Sequence, residues 1–78
     1  MEDNEVKERI HKLSDAIRTT RRIKNITQKE LSEKAGVSTS IISQIENHKI
    51  VPRLETVIKL TTALEMTIEV SKAWKWYA

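Results

Sequence analysis

The chain of 78 residues has no cysteine and no phenylalanine, and it has only one glycine and one proline. Without cysteine there can be neither a disulfide bond nor a thiolate metal site. A single glycine excludes the glycine-rich loops that hold nucleotide phosphates. Aromatic residues are equally scarce, and they fall within the last five positions: Trp74, Trp76 and Tyr77.

Other features are missing as well. No segment resembles a signal peptide or a hydrophobic run that could span a membrane, so we expect a cytoplasmic protein. The serines have no base and orienting acid to activate them, and His11 and His48 have no partners at metal-ligand spacing. The sequence therefore predicts no enzyme activity, no metal, no cofactor and no membrane contact. A domain of this size also leaves no room to sense a small-molecule ligand.

Length and charge set the next limits. We expect a single domain over residues 1–78 with a thin core, for which self-association is a common source of added stability. The formal net charge is only +3, but residues 9–59 hold 11 basic and 5 acidic residues. Such a region favours polyanions through counterion release, although charge alone fits an ordinary solvated surface equally well.

A pair of short helices joined by a glycine turn is predicted over residues 27–46. Thr27 is followed three positions later by Glu30, which is the pattern of a capping box and starts the first helix. Gly36 stands where the chain must turn left-handed to end that helix, and Ser38 can cap the second one. The second helix has isoleucines on one face and a polar face on the other. The polar face consists of Thr39, Ser40, Ser43 and Gln44.

Periodicity predicts further elements on both sides of this pair. Upstream, helical spacing of apolar residues predicts a helix from about Glu5 to Lys24, which Asn25 ends. Downstream, Pro52 precedes a helix predicted from about Leu54 to Leu64. Over residues 66–78 the period becomes two, which predicts a short β-strand. A lone strand has unpaired edges, so we expect it to pair with the same strand of a second subunit. The predicted dimer residues are Met66, Ile68, Val70, Trp74 and Trp76.

The segment from about Leu13 to Leu64 resembles the lambda-repressor-like, Cro/XRE-type helix-turn-helix family. This resemblance implies an all-α DNA-binding domain of four to five helices, here followed by a short C-terminal strand. It also implies a transcriptional repressor that binds a palindromic operator as a homodimer. The residues that carry the resemblance are Thr27, Gln28, Leu31, Ala35 to Ser38, Ile42, Gln44 to Asn47, Lys49, Pro52 and Leu54 to Thr56.

The resemblance also implies residue roles. Gln28 resembles the family's phosphate-contacting glutamine, and Lys49 and Arg53 flank a loop that would meet the DNA backbone. Arg53 also takes the N-cap position of the last helix, where a cation opposes the helix dipole, and such an unfavourable choice is typical of a functional residue. A good helix former at an open position is the alternative for Gln28. The base-reading residues would be Thr39, Ser40, Ser43 and Gln44, for which ordinary polar surface is the alternative.

Three further residues stand out by comparison with the family pattern. Arg21 and Glu46 resemble a structural pair that bridges the first and third helices, and Arg21 could also touch a phosphate through its outer nitrogens. His48 stands where the family often has glycine. A histidine tolerates the left-handed conformation only under strain, so the loop could be shaped differently and the Lys49 contact is less secure.

A short repressor followed directly by a strand also resembles the antitoxins of type II toxin–antitoxin pairs, particularly the HigA-like and HipB-like ones. These proteins bind DNA and also neutralise a toxin protein. Aromatic residues are enriched at protein interfaces, so the aromatic tail favours such a partner. Completing the dimer sheet is the alternative role for the tail.

Overall fold

The computed structural model describes residues 2–67, and within this range the chain forms four α-helices and no strand. The predicted all-α class is confirmed for this part of the chain. Of the predicted strand, only Met66 and Thr67 are described, so Ile68, Val70, Trp74 and Trp76 lie outside the described residues. The helices are α1 (Asp3–Ile23), α2 (Gln28–Ala35), α3 (Thr39–Glu46) and α4 (Leu54–Ala63).

Side chains mark the starts of both motif helices, as the sequence predicts. The Glu30 N–H donates to Thr27 Oγ1 at 3.0 Å and the Thr27 N–H donates to the Glu30 carboxylate at 3.2 Å, which closes the capping box. The hydrogen bond from the Thr27 backbone N–H, followed by a hydrogen bond from the Thr27 side chain, lowers the pKa of the Glu30 carboxyl. Ser38 Oγ accepts from the Ile41 N–H at 3.1 Å and starts α3. Gly36 ends α2 with a left-handed φ of 70°.

The other three helices end at a left-handed residue that is not glycine. Asn25, His48 and Glu65 follow α1, α3 and α4 with φ values of 55°, 59° and 58°. Each of these residues and its successor donate N–H bonds back into the last helical turn, which is the Schellman pattern. The left-handed conformation costs a residue with a Cβ about 1–2 kcal/mol, and asparagine tolerates it best. His48 and Glu65 are therefore the strained positions.

The core is small and aliphatic. α2 packs against both α3 and α4, whereas α1 packs against α3. Each buried leucine or isoleucine contributes about 1.5–3 kcal/mol relative to exposure. The buried cluster consists of Ile17, Leu31, Val37, Ile42, Ile45, Leu60 and Leu64.

A buried ion pair fastens α1 to α3. Arg21 Nε and Nη2 donate to the two carboxylate oxygens of Glu46 at 2.8 and 2.9 Å, and Nη1 donates to the carbonyl of Ile26 at 2.8 Å. The Arg21 and Glu46 side chains are only 11% and 2% exposed. Burial raises the pKa of Glu46, but hydrogen bonds from Arg21 and Gln28 and the charge of Arg21 outweigh it. The pKa of Glu46 therefore lies below its ordinary value, and the carboxylate is charged at neutral pH.

Removal of Arg21 should destabilise the fold strongly at neutral pH. In Arg21→Met, Glu46 becomes an unpaired charge in a dry site, so we expect a loss of about 3–5 kcal/mol in the free energy of unfolding. Urea denaturation at pH 7 measures this loss. The matched double variant Arg21→Met/Glu46→Leu should recover most of it, because no buried charge is then left without a partner.

The same pair gives a pH dependence with a defined sign. Because folding lowers the pKa of Glu46, the stabilisation is fully present above the unfolded-state pKa and is lost as pH falls through the folded-state pKa. The destabilisation of Arg21→Met should therefore shrink as the denaturation is repeated at decreasing pH. A loss that stays constant over that range would contradict the assignment of the pH effect to Glu46.

Candidate nucleic-acid interface

The outer face of α3 brings the four predicted base-reading residues together. The inner face of this eight-residue helix buries Ile42, Ile45 and Glu46. The outer face carries no charged side chain, so it can select a ligand only by shape and by the geometry of its hydrogen bonds. Of its residues, Thr39 and Ser40 are exposed, and Ser43 and Gln44 are half-buried.

Hydrogen bonds between neighbouring residues hold the polar side chains of this face in position. Gln44 Nε2 donates to Ser40 Oγ at 3.1 Å, which uses one of the two amide N–H bonds. At the end of the helix, Asn47 Nδ2 donates to the Ser43 carbonyl at 2.8 Å and lies 3.4 Å from Ser43 Oγ. The ordering role of Asn47 was missed by the sequence analysis, although its spacing of four residues from Ser43 was a signal.

Gln28 is the first residue of α2, and its side chain is tied to the buried ion pair. Its Nε2 donates to Glu46 Oε1 at 3.2 Å, so one carboxylate accepts hydrogen bonds from both Gln28 and Arg21. The second N–H of Nε2 is not used by this bond. The half-buried amide is therefore held at the N-terminus of α2, where the helix dipole favours an anion.

Arg21 is placed differently from the other predicted phosphate contacts. Its guanidinium is engaged by Glu46 and by the Ile26 carbonyl, and its side chain is 11% exposed. The structural contact with Glu46 is observed directly. A phosphate contact stays a prediction, and only the remaining outer N–H bonds of Arg21 could make it.

Lys49 and Arg53 are both exposed on the loop between α3 and α4. Arg53 is the N-cap residue of α4, but its side chain makes no capping hydrogen bond. The neighbouring acid Glu55 pairs instead with Lys59, whose Nζ lies 3.0 Å from its carboxylate. The hydrogen bond and the charge of Lys59, with a smaller effect of the Arg53 charge, lower the pKa of Glu55. The Arg53 guanidinium therefore acts on Glu55 only through its charge and makes no capping bond.

A contact from α1 that was not predicted from the sequence holds the start of this loop. His48 Nε2 lies 2.7 Å from Asp15 Oδ1, and the His48 ring stacks on His11 with centroids 4.1 Å apart and planes 4° from parallel. Asp15 and His48 are 33 positions apart, so no local pattern relates them. His48 takes the left-handed conformation that a glycine would adopt here.

Two findings concern other kinds of site. Within residues 2–67, no group of three or more histidine and acidic side chains could hold a metal ion. None of the four helices is both long enough and apolar enough to cross a membrane.

Comparison with known families gives one match. The family model HTH_3, described as helix-turn-helix, matches residues 17–70, which contain α2, the glycine turn, α3 and α4. Searches of the curated proteins and of the solved structures return no match. The family match covers more than half of the chain and confirms the resemblance to the Cro/XRE type. The chain therefore belongs to the HTH_3 helix-turn-helix family, and it is a DNA-binding transcription regulator.

Proposed function

We propose that the protein is a sequence-specific transcriptional repressor that binds a palindromic DNA site as a homodimer. The observation that carries this proposal is the uncharged polar face of α3, which stands outward on a helix anchored from behind by Glu46. A single α-helix fits the major groove of B-DNA, which is about 12 Å wide. Because the helix is already held in place, little freedom is lost on binding, and this favours affinity.

Base recognition is assigned to the outer face of α3. Gln44 can pair with adenine through both its amide oxygen and its amide nitrogen, and Thr39 offers a hydroxyl and a methyl group to thymine. Ser40 supports Gln44 through the bond to its amide and is itself exposed. Ser43 is the fourth reader, with its backbone and hydroxyl held by Asn47.

Backbone contacts are assigned to three residues that surround this face. Gln28 presents its amide at the N-terminus of α2, and Lys49 and Arg53 present cations from the loop after α3. Contacts of this kind add affinity and fix the position of the protein on the duplex, but they carry no sequence information. The two classes of contact should therefore respond differently to mutation.

Gln44→Ala should flatten the preference among DNA sequences, with a loss of about 1–3 kcal/mol on the preferred site and little change on random DNA. Arg53→Ala should weaken both kinds of DNA and reduce the slope of log affinity against log salt by about one. Fluorescence anisotropy at several salt concentrations, with a site selected from a random duplex pool, measures both effects.

Arg9→Ala is the control for Arg53→Ala, because it removes the same charge from an exposed position of α1 and should leave the slope nearly unchanged. Equal losses on both DNAs for both variants would contradict the role assignment.

The homodimer has a candidate surface on α4. Leu54 and Ile58 are 72% and 50% exposed, and together with Met66 they line a groove of about 460 Å³. Exposed apolar area of this kind is typical of protein contacts. The groove includes Met66 and Thr67, with which the predicted strand begins in the sequence.

Ile58→Lys should weaken the dimer at least tenfold, because it places a charge in a contact that would exclude water. Light scattering or sedimentation over a concentration series measures the dissociation constant. Val6→Lys adds the same charge to a 41% exposed valine of α1 and should leave the dimer intact. A molecular mass that is unchanged by Ile58→Lys would exclude this face of α4 as the dimer contact.

A second candidate function is that of an antitoxin, and the position of the aromatic residues favours it. Trp74, Trp76 and Tyr77 come after α4 in the sequence, and no other tryptophan or tyrosine and no phenylalanine occurs in the chain. Tagged co-purification from the native host should then yield a small partner protein with the full chain. A version ending at Glu65 should lose this partner. Recovery of the homodimer alone would leave the protein as a self-contained repressor.

A further inference from the structure

We propose that Asp15 and His11 of α1 are positioning residues for DNA binding. Through His48 they hold the loop of residues 47–53. The inference rests on the proposed function, because it assumes that Lys49 of this loop contacts the DNA backbone. We call the contact of Asp15, His48 and His11 the loop latch.

His48 needs external support to keep its backbone conformation. Its φ of 59° lies in the left-handed region, which any side chain with a Cβ disfavours. Two contacts from α1 oppose this cost: Asp15 Oδ1 lies 2.7 Å from Nε2, and the His11 ring stacks at 4.1 Å. A glycine would adopt the same backbone without support but would have no side chain for α1 to hold.

The latch acts directly on the residue proposed to meet a phosphate. The N–H of Lys49 donates to the Gln44 carbonyl at 2.8 Å, and the N–H of His48 donates to the Ile45 carbonyl at 3.1 Å. These bonds form only while His48 is left-handed, since that residue turns the chain back onto α3. The latch therefore fixes the position and direction of the backbone at Lys49, directly after α3.

The groups around the His48 ring differ in what they can contribute to the latch. Asp15 and His11 of α1 face the ring, and Lys7 and Lys49 line the same cleft. Asp15 is the one acid among these residues, so its carboxylate supplies the hydrogen-bond acceptor, while His11 supplies a flat surface for stacking. Loss of this acceptor should therefore release the loop and weaken DNA binding.

The experiment compares the DNA affinity of the full wild-type chain and three variants, at fixed pH and salt on one selected duplex. Asp15→Ala removes the acceptor and should bind about two- to fivefold more weakly, a loss typical of one exposed polar contact. Asp15→Asn keeps a neutral hydrogen-bond acceptor of the same shape, so it should bind about as tightly as the wild type.

Glu33→Gln is the matched control, because it removes the same charge from an exposed position of α2. It should bind no more weakly than the wild type. An Asp15→Ala chain that binds as tightly as the wild type would overturn the inference and leave the proposed function in place. A wild-type chain that binds no DNA would contradict the proposed function itself, and the positioning role with it.

Thermal unfolding tests the latch without DNA. Glu65→Gly relieves the left-handed strain after α4 and should raise the melting temperature by about 4 °C. His48→Gly relieves similar strain but also removes the latch, so its melting temperature should not rise. An equal rise in both variants would show that Asp15 and His11 do not hold His48, and would overturn the inference.

Discussion

The carboxylate of Glu46 is the point on which the arrangement of the helices depends. It lies on α3 and accepts hydrogen bonds from Arg21 of α1 and Gln28 of α2. An unpaired carboxylate at this depth would cost several kcal/mol, so arrangements that bring both donors to it are strongly preferred. The aliphatic core drives the helices together without fixing their angles precisely, because burial is not directional. We infer that Glu46 supplies the missing orientation.

Because Glu46 anchors α3 from one side, the two faces of this helix differ in what they contact. The inner face, with Ile42, Ile45 and Glu46, packs against the other helices. The outer face presents small polar groups, and packing in the core does not determine which polar residues stand there. If α3 reads bases as proposed, substitutions at the exposed positions Thr39 and Ser40 can change its preference with little loss of stability. The ends of α3 are secured separately, by the Ser38 cap at the start and by the Schellman turn at His48. The loop that follows therefore starts from a defined position.

Local signals predicted most of the helical architecture, because caps and glycine act within a few residues. Thr27, Gly36 and Ser38 marked the motif boundaries correctly. α1 begins at Asp3 rather than near Glu5, and no side-chain cap marks that start. The long-range contacts were less accessible: Arg21 with Glu46 was suggested only by family resemblance, and Asp15 with His48 was not suggested at all. Both join residues at least 25 positions apart, where neither periodicity nor capping relates them.

The most direct test of the account is an NMR titration of the ¹⁵N-labelled chain with a duplex at low salt. If Glu46 presents α3 to DNA, the amide signals of Thr39 to Gln44, Gln28 and the loop of residues 47–53 should shift together. The signals of the exposed α4 residues around Ile58 should stay nearly unchanged. Shifts that centre on α4, or that spread evenly over the surface, would contradict the assignment of α3 as the reading helix.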